Sequence, residues 1–376
     1  MAQGYYRKND NKMIGNIIIR EATYKDIPEI AELYRTDLNL SINQDVWEWE
    51  YFKRPGYQTF YVVAVNNGRI IGSQALIPVK MMGNKRVILS AKSESTLVCK
   101  QFRGQGIFEK MYSKLFQIAE QRGIKVIWGF TGAKKAFLQI GFTVPISLNL
   151  GCIPLDVDKN FKYFIGKLKL YHNKLSYFAS LPLMIYLLLK RFRLLLCLIY
   201  YDMKYRSSAQ YVCELLKVDK EFDKLLSIIN ENNKKNGIIT IYRDIDYINW
   251  RIITNPSIAY KILTYEENMT KGYIIFYIRE GILVITDYGC TNVDTVFPVL
   301  LNRVLHLGFA EKCWCVHFLD KESLENRKYR KYFKNYSSII FKNSIPMVLK
   351  IIDNELFDME KDVENWFITE MFSQGI

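Results

Sequence analysis

The chain has 376 residues, of which 49% are hydrophobic, and its formal net charge is +14 at pH 7. This length exceeds what one hydrophobic core usually serves, so we predict two domains with well-buried sheets. Seven cysteines at irregular spacing argue against a disulfide framework, and scattered basic residues without a recognition motif argue against nucleic-acid binding. Residues 1–15 carry no long apolar run, and we expect them to form a loose leader on a cytoplasmic protein.

Strands and helices alternate along the first hundred residues. A helix is expected to begin after Asp26, which is its expected cap, with Pro28 in the first turn. Asn66-Asn67-Gly68 is typical of a hairpin turn. Alternating apolar residues predict strands at 17–22, 59–65, 70–77, 85–89 and 95–99.

Residues 101–106, Gln-Phe-Arg-Gly-Gln-Gly, lie between the strand at 95–99 and an amphipathic helix at 107–120. Gly104 and Gly106 lack a Cβ atom, so an anion can approach the backbone closely. A turn of this kind directs several free N–H groups, and the positive end of the helix dipole, towards one point. Arg103 can add charge-assisted hydrogen bonds. The segment therefore predicts a pyrophosphate site.

The pattern Q-x-x-G-x-G after a strand resembles the coenzyme A loop of the GNAT N-acyltransferase superfamily. The order of elements over residues 17–142 resembles the same family: 126–130 is similar to its splayed strand, and 133–140 followed by Gly141-Phe142 to its closing helix and strand. The resemblance implies an α/β (α+β) fold in which a mixed sheet is flanked by helices.

The resemblance also implies where acetyl-CoA would bind as the acyl donor. The pantetheine arm would bond to one strand as an extra strand does, and the pyrophosphate to the loop that follows. An acceptor amine or hydroxyl would then attack the thioester directly, with a backbone N–H near Val98 holding the oxyanion. The implied coenzyme-binding residues are Leu97, Val98, Cys99, Arg103, Gly104, Gln105, Gly106 and Ile107.

Two positions depart from the family pattern. Gly132 stands where many relatives have an asparagine, and Phe137 stands where many have the tyrosine that reprotonates the coenzyme thiolate. Water or Tyr112 could supply that proton, or the thiolate could leave unaided. Glu94 is the best-placed general base, although a solvated carboxylate at a strand end is the alternative. We expect Cys99 to be a packing residue.

The second part of the chain repeats the first more faintly. Asp45, Trp49 and Pro55 recur 201 residues later as Asp246, Trp250 and Pro256, and Gly72 recurs as Gly272. The pattern after the second copy predicts strands at 259–264, 272–278, 282–287 and 313–318 and a helix at 293–306. Residues 289–292, Gly-Cys-Thr-Asn, replace the coenzyme loop. This half resembles a degenerate second GNAT fold, as in tandem Fem-like and enhanced-survival-like acyltransferases, and is expected not to bind coenzyme A.

Between the two copies lies a basic and apolar insertion. Residues 175–189 and 194–201 are largely apolar, and each run is too short to span a bilayer. Residues 158–220 contain twelve lysines and arginines against four acids, a net charge of +8. A helical pair of this kind suits an anionic membrane surface, and an interdomain or homodimer contact is the alternative. The predicted domains are 16–155, 156–235 and 236–376.

Cys313, Cys315 and His317 alternate along one predicted strand, which would place them on one face. With no fourth ligand near, we expect ordinary packing and no metal. The sequence as a whole predicts an acetyl-CoA-dependent N- or O-acetyltransferase acting on a sugar, peptide or cell-surface polymer precursor. A catalytically silent coenzyme A-binding scaffold and a Fem-like aminoacyl transferase are the alternatives.

Overall fold

The structure is a computed structural model that describes residues 16–171 and 173–373, and the predicted leader at 1–15 lies outside them. The helices and strands of the first part follow the predicted order. They are β1 Ile18–Glu21, α1 Ile27–Leu38, α2 Gln44–Tyr51, β2 Phe60–Asn66, β3 Arg69–Gly83, β4 Arg86–Val98, α3 Ile107–Gln121, β5 Val126–Phe130, α4 Lys134–Gln139 and β6 Thr143–Pro154.

Two long helices then lead into a second set of strands and helices. These elements are α5 Val157–Tyr171, α6 Asn173–Lys204, β7 Val212–Leu215, α7 Lys220–Lys235, β8 Thr240–Ile241, α8 Ile245–Ile248 with a π-helical turn Asn249–Ile253, β9 Tyr260–Glu267, β10 Thr270–Arg279, β11 Ile282–Cys290, α9 Val293–Ala310, β12 Cys315–Asp320, α10 Leu324–Asn335, β13 Ile339–Ile351, α11 Asp358–Lys361 and α12 Glu370–Ser373.

Three local predictions were wrong. The strands expected at 85–89 and 95–99 are one strand, β4. The two apolar runs of the insertion lie on one helix, α6, with Pro182 inside it. Asp26 does not cap α1, because its carboxylate accepts a hydrogen bond from the Thr23 N–H at 2.7 Å and pairs with Arg20.

The strands form one mixed sheet in the order β1-β2-β3-β4-β5-β13-β6-β12-β11-β10-β9-β7, with β8 added beside β3. The pairs β4–β5 and β11–β12 are parallel, and the other neighbours along this order are antiparallel. The strand order is symmetric about its centre. There β13 from the second half pairs with β5 of the first half, and β6 from the first half pairs with β12 of the second half, so these two strands have exchanged sides. This symmetry favours the hypothesis of a second, degenerate copy, which stays a prediction.

The repeated residues lie at matching places. A Cβ on Gly72 of β3 would lie 3.2 Å from the Leu97 carbonyl oxygen of β4 and 3.4 Å from the Met111 methyl carbon of α3. A Cβ on Gly272 of β10 would lie 2.6 Å from Cγ1 of Val296 on α9. Gly272 therefore lets α9 pack closely on its half of the sheet.

The repeated tryptophans meet each other where the halves join. The rings of Trp49 and Trp250 lie 5.6 Å apart, and the indole N–H of Trp250 donates to the Trp49 carbonyl at 3.4 Å. Beside them, Glu50 and Arg251 form a buried ion pair. Burying two charges is tolerated when they pair, so this contact fixes the register of the two halves.

Among the described residues, α9 is the helix whose length and composition would allow it to span a membrane. Its side chains, such as Val296, Leu300 and Val304, are fully buried in the core of the second half. Burial of this extent is typical of a helix in the core of a protein.

Candidate functional site

The two parallel strands β4 and β5 part beyond their third paired residue. They pair at Ser90–Lys92 with Val126–Trp128, after which β5 continues against β13, where Gly129 pairs with Val348. A Cβ on Gly129 would lie 2.8 Å from the Ser93 carbonyl oxygen, so glycine permits the close approach from which the strands diverge. Beyond Ser93, the edge of β4 that faces β5 is open to an extended ligand.

A bulge deforms β4 just inside this gap. The register with β3 shifts between Ser73 and Ala75, and Ser95 has a φ of +59°. The Ser73 hydroxyl donates to the Ser95 carbonyl at 3.1 Å, and the Tyr34 and Tyr61 hydroxyls donate to Ser95 Oγ at 3.2 and 3.3 Å. A serine in left-handed backbone is strained, and these bonds hold it there.

Burial raises the pKa of both tyrosines that contact Ser95, Tyr34 and Tyr61. Both phenols therefore stay protonated at neutral pH and act as donors. Sequence reasoning missed them, since no local pattern relates positions 34 and 61 to position 95.

The predicted anion loop begins where β4 ends. Gly104 and Gly106 have φ values of +78° and +71°, and α3 starts at Ile107 with no side chain capping its N-terminus. The first N–H groups of a helix have no partner within it, so they are free for a ligand. These free N–H groups fit a pyrophosphate. The side-chain oxygen of Gln105 is buried without a hydrogen-bond partner, but it is an acceptor and cannot bond to phosphate oxygens.

Arg103 is placed differently from its expected role. Its Nε donates to the Val98 carbonyl at 2.9 Å, and its Nη2 lies 3.7 Å from the Asp37 carboxylate. The guanidinium thus folds back along the end of β4 and away from the helix N-terminus. Leu97, Val98 and Cys99 form the end of that strand and the turn after it, as predicted from the chain order.

The matching helix of the second half has a different N-terminus. The Asn292 side chain caps α9 by accepting from the N–H groups of Asp294 and Thr295 at 3.1 and 3.2 Å. Asp294 adds a negative charge in the first turn and pairs with Lys331 at 2.5 Å. A cavity of about 600 Å³ opens beside these residues. Because its N–H groups are bonded and an acid is present, α9 is unsuited to a pyrophosphate.

Both candidate catalytic residues lie close to the point where the strands part. Glu94 is half-buried and forms an ion pair with the buried Lys92. The Tyr112 hydroxyl lies 2.6 Å from Ser93 Oγ, and burial raises the pKa of Tyr112, which keeps it protonated. The ion pair with Lys92 holds the Glu94 side chain near the point where the strands part.

Phe137 occupies the place of the family tyrosine inside an aromatic cluster. Its ring centre lies 5.2, 5.5 and 5.1 Å from those of Phe108, Tyr112 and Phe142. This packing explains why an apolar ring is stable at that position. Cys99 is half-buried and packs against the core, as expected of a packing residue.

A cavity of about 360 Å³ lies on the other side of the bulge, and Tyr61 links it to Ser95. Arg54 borders this cavity, and its guanidinium carbon lies 4.5 Å from the ring centre of Trp250. Its Nη1 is buried without a hydrogen-bond partner, and burial lowers the pKa of Arg54 to about 10, so the group is charged at neutral pH. Sequence reasoning missed Arg54. The cavity is lined by Glu21, Ala22, Tyr51, Phe52, Arg54, Gly56, Tyr57, Gln58, Thr59 and Tyr61.

A possible metal-ligand set lies elsewhere, at the exchanged strands. Donor atoms of Cys152 on β6 and of Cys315 and His317 on β12 lie within 4.8 Å of one another. The prediction that Cys313 shares this face was wrong, because β12 begins at Cys315. Cys315, together with His317, lowers the pKa of the Cys152 thiol to about 6. Three donors of this kind could hold a soft cation.

The gap, the bulge and the uncapped helix all lie in the region that matches a known family. Residues 18–144 match the family model described as the acetyltransferase (GNAT) domain. This segment is a GNAT domain. No protein among curated sequences matches the chain.

Solved structures share the fold over most of the chain. A probable N-acyltransferase of unknown function from Enterococcus faecalis V583 has a TM-score of 0.61 at 10% identity, covering 91% of this chain and 74% of its own. A GCN5-related N-acetyltransferase from Kribbella flavida has a TM-score of 0.60 at 10% identity, covering 91% and 73%. Saccharomyces cerevisiae N-myristoyltransferase with bound myristoyl-CoA has a TM-score of 0.54 at 9% identity, covering 96% and 89%.

At such low identity these structures are alike in fold alone. The match of residues 18–144 to the GNAT acetyltransferase family supports an acyl-CoA-dependent acyltransferase.

Proposed function

We propose that the GNAT domain binds acetyl-CoA in the gap between β4 and β5 and transfers its acyl group to an acceptor amine or hydroxyl. The observation that carries this proposal is the uncapped N-terminus of α3, which follows Gly104 and Gly106 at the end of an open strand edge. The pyrophosphate would accept hydrogen bonds from the N–H groups of residues 103–107. The pantetheine arm would bond to the backbone of residues 97–99 as an added strand.

The nucleophile of the acceptor would attack the thioester carbonyl without a covalent enzyme intermediate. Glu94, paired with Lys92, would take the proton from the nucleophile directly or through a water. As the carbon–sulfur bond breaks, the thiolate would leave with a proton from Tyr112 or water, or unaided, since its pKa is near 8.5.

We infer that the acceptor enters through the cavity beside the bulge and carries an anionic group. Arg54 supports this inference, because its buried Nη1 has no hydrogen-bond partner and a carboxylate or phosphate would supply one. Sugars, peptides and cell-surface polymer precursors that carry such groups form the acceptor class.

Purified protein can be tested with acetyl-CoA and with myristoyl-CoA against phosphorylated sugars, amino sugars and peptides, with release of free thiol as the readout. We expect thiol release that depends on an acceptor. A catalytically silent coenzyme A-binding scaffold is the second candidate, favoured by Phe137 in place of the family tyrosine. Coenzyme binding by calorimetry, with no thiol release for any acceptor, would support that scaffold.

A Fem-like aminoacyl transferase is the third candidate. It would bind the coenzyme poorly and transfer from charged tRNA. Measured coenzyme affinity separates it from the first two.

A further inference from the structure

One face of α6 is apolar and exposed along nearly its whole described length. Ten large apolar side chains form this stripe, and each is at least 41% exposed. They account for ten of the 24 exposed large hydrophobic residues in the described part of the chain, so the exposure is concentrated here. The apolar stripe consists of Phe178, Leu181, Ile185, Leu188, Leu189, Phe192, Leu195, Leu196, Ile199 and Met203.

The opposite face of the same helix anchors it to the protein. Leu187, Leu194, Leu198 and Tyr201 are buried and recur at helical spacing, and three of them belong to the core of the second half. The stripe is therefore fixed on the outside of a packed helix, and turning it inward would expose these four residues instead.

Basic and tyrosine side chains border the stripe. Lys204 lies 5.8 Å from the ring centre of Tyr200, and the half-buried Lys190 lies 5.4 Å from that of Tyr186 and also donates to the Ser338 carbonyl at 3.3 Å. Arg193 is exposed between them. Long basic side chains and tyrosines each place a polar end beside an apolar body, which is the arrangement found at a bilayer surface.

We propose that the apolar stripe of α6 docks the protein on the surface of an anionic lipid bilayer. The helix lies along the surface, with Phe192 and its neighbours among the acyl chains and the basic border among the phosphates. The charge of the surrounding segment agrees, since residues 158–220 carry a net +8. This docking does not depend on which acceptor the enzyme uses.

A second copy of the chain fits the stripe less well. From Phe178 to Met203 the helix is about 38 Å long and about 10 Å wide, so each copy would bury about 400 Å², and a pair about 800 Å². Stable interfaces bury about 1,200 Å² or more in total. An antiparallel two-fold pair would also bring the basic borders together, and Asp202 of α6 is already bonded to Asn302 and His306.

The test is sedimentation of the full chain with vesicles of phosphatidylcholine, alone or with phosphatidylglycerol, at low and high salt. We expect binding to the anionic vesicles that weakens as salt is added, because screening acts on the basic border. Phe192→Glu and Ile199→Glu place charge on the stripe and should each weaken partitioning about tenfold or more. Arg193→Gln should weaken it about fivefold.

Met269→Glu is the matched control. Met269 is 89% exposed in the turn between β9 and β10, so the same change is made away from the stripe and should leave partitioning unaltered. Circular dichroism checks that every variant is folded. The proposal is overturned if the wild type stays in the supernatant at low salt, or if Phe192→Glu dissociates an oligomer and leaves vesicle binding unchanged.

Discussion

The coenzyme loop makes a sharp prediction for Gly104. Its φ of +78° lies in the left-handed region, and a Cβ added there would meet nothing within 4 Å. Gly104→Ala therefore creates no clash in the protein itself, but the left-handed conformation costs about 1–2 kcal/mol for a residue with a Cβ. If the loop relaxes to avoid that cost, at least one N–H group no longer points at the pyrophosphate.

The loss of one charge-assisted hydrogen bond is worth about 1.5–3 kcal/mol, so coenzyme A should bind about tenfold to a hundredfold more weakly. Calorimetry on wild type and Gly104→Ala measures this. Gly123→Ala is the control, because Gly123 has a φ of +71°, also has open space, and follows the other end of α3. Both variants should lose similar thermal stability, and only Gly104→Ala should lose affinity. Equal affinity losses in the two variants, or none in Gly104→Ala, would refute the reasoning.

Three further changes test the reaction. Glu94→Gln should lower turnover by about 10²–10⁴-fold with coenzyme affinity unchanged in calorimetry, and full activity would assign Glu94 to a surface role. Phe137→Tyr introduces the hydroxyl that many relatives have, but buries it among aromatic rings. The change should therefore lower the free energy of unfolding by about 1–3 kcal/mol, and a higher melting temperature would contradict this. Arg54→Gln should raise KM for an anionic acceptor about tenfold or more, whereas the exposed neighbour Lys53→Gln should not; equal effects would place the anion elsewhere.

The order of elements and the glycine-bearing turn before α3 could be predicted because both depend on local patterns. Strand alternation, helical spacing and two glycines before a helix are properties of neighbouring residues. The same reasoning failed at residues 90–94, which pair with β3 and join two predicted strands into one. It also failed at Ser95, where contacts from Tyr34 and Tyr61 hold a bulge. Arg54 was missed for a similar reason, because its site forms only when Trp250 from the other half packs on it.

The sequence pattern also failed to predict that both apolar runs of the insertion lie on one helix, α6. The charged residues at 190, 191 and 193 interrupt the apolar run in sequence, and a helical pair was expected over this segment. In the structure they lie at the border of the stripe or turn towards the protein, where Arg191 stacks on Phe309 at 4.3 Å. On one continuous helix, none of these three charged residues lies within the exposed apolar stripe. This became clear only from the structure, which shows which side of α6 is buried.

The exchange of β6 and β13 gives the second half a role even without a coenzyme loop of its own. All five residues of β5 pair with β13, from Val126 with Ile351 to Phe130 with Met347, whereas three residues of β5 pair with β4. The far wall of the gap is therefore held by a strand that the second half supplies. Beyond Trp128, β5 stays paired with β13 on one edge while its other edge leaves β4. The second half therefore supports one wall of the opening for an extended ligand.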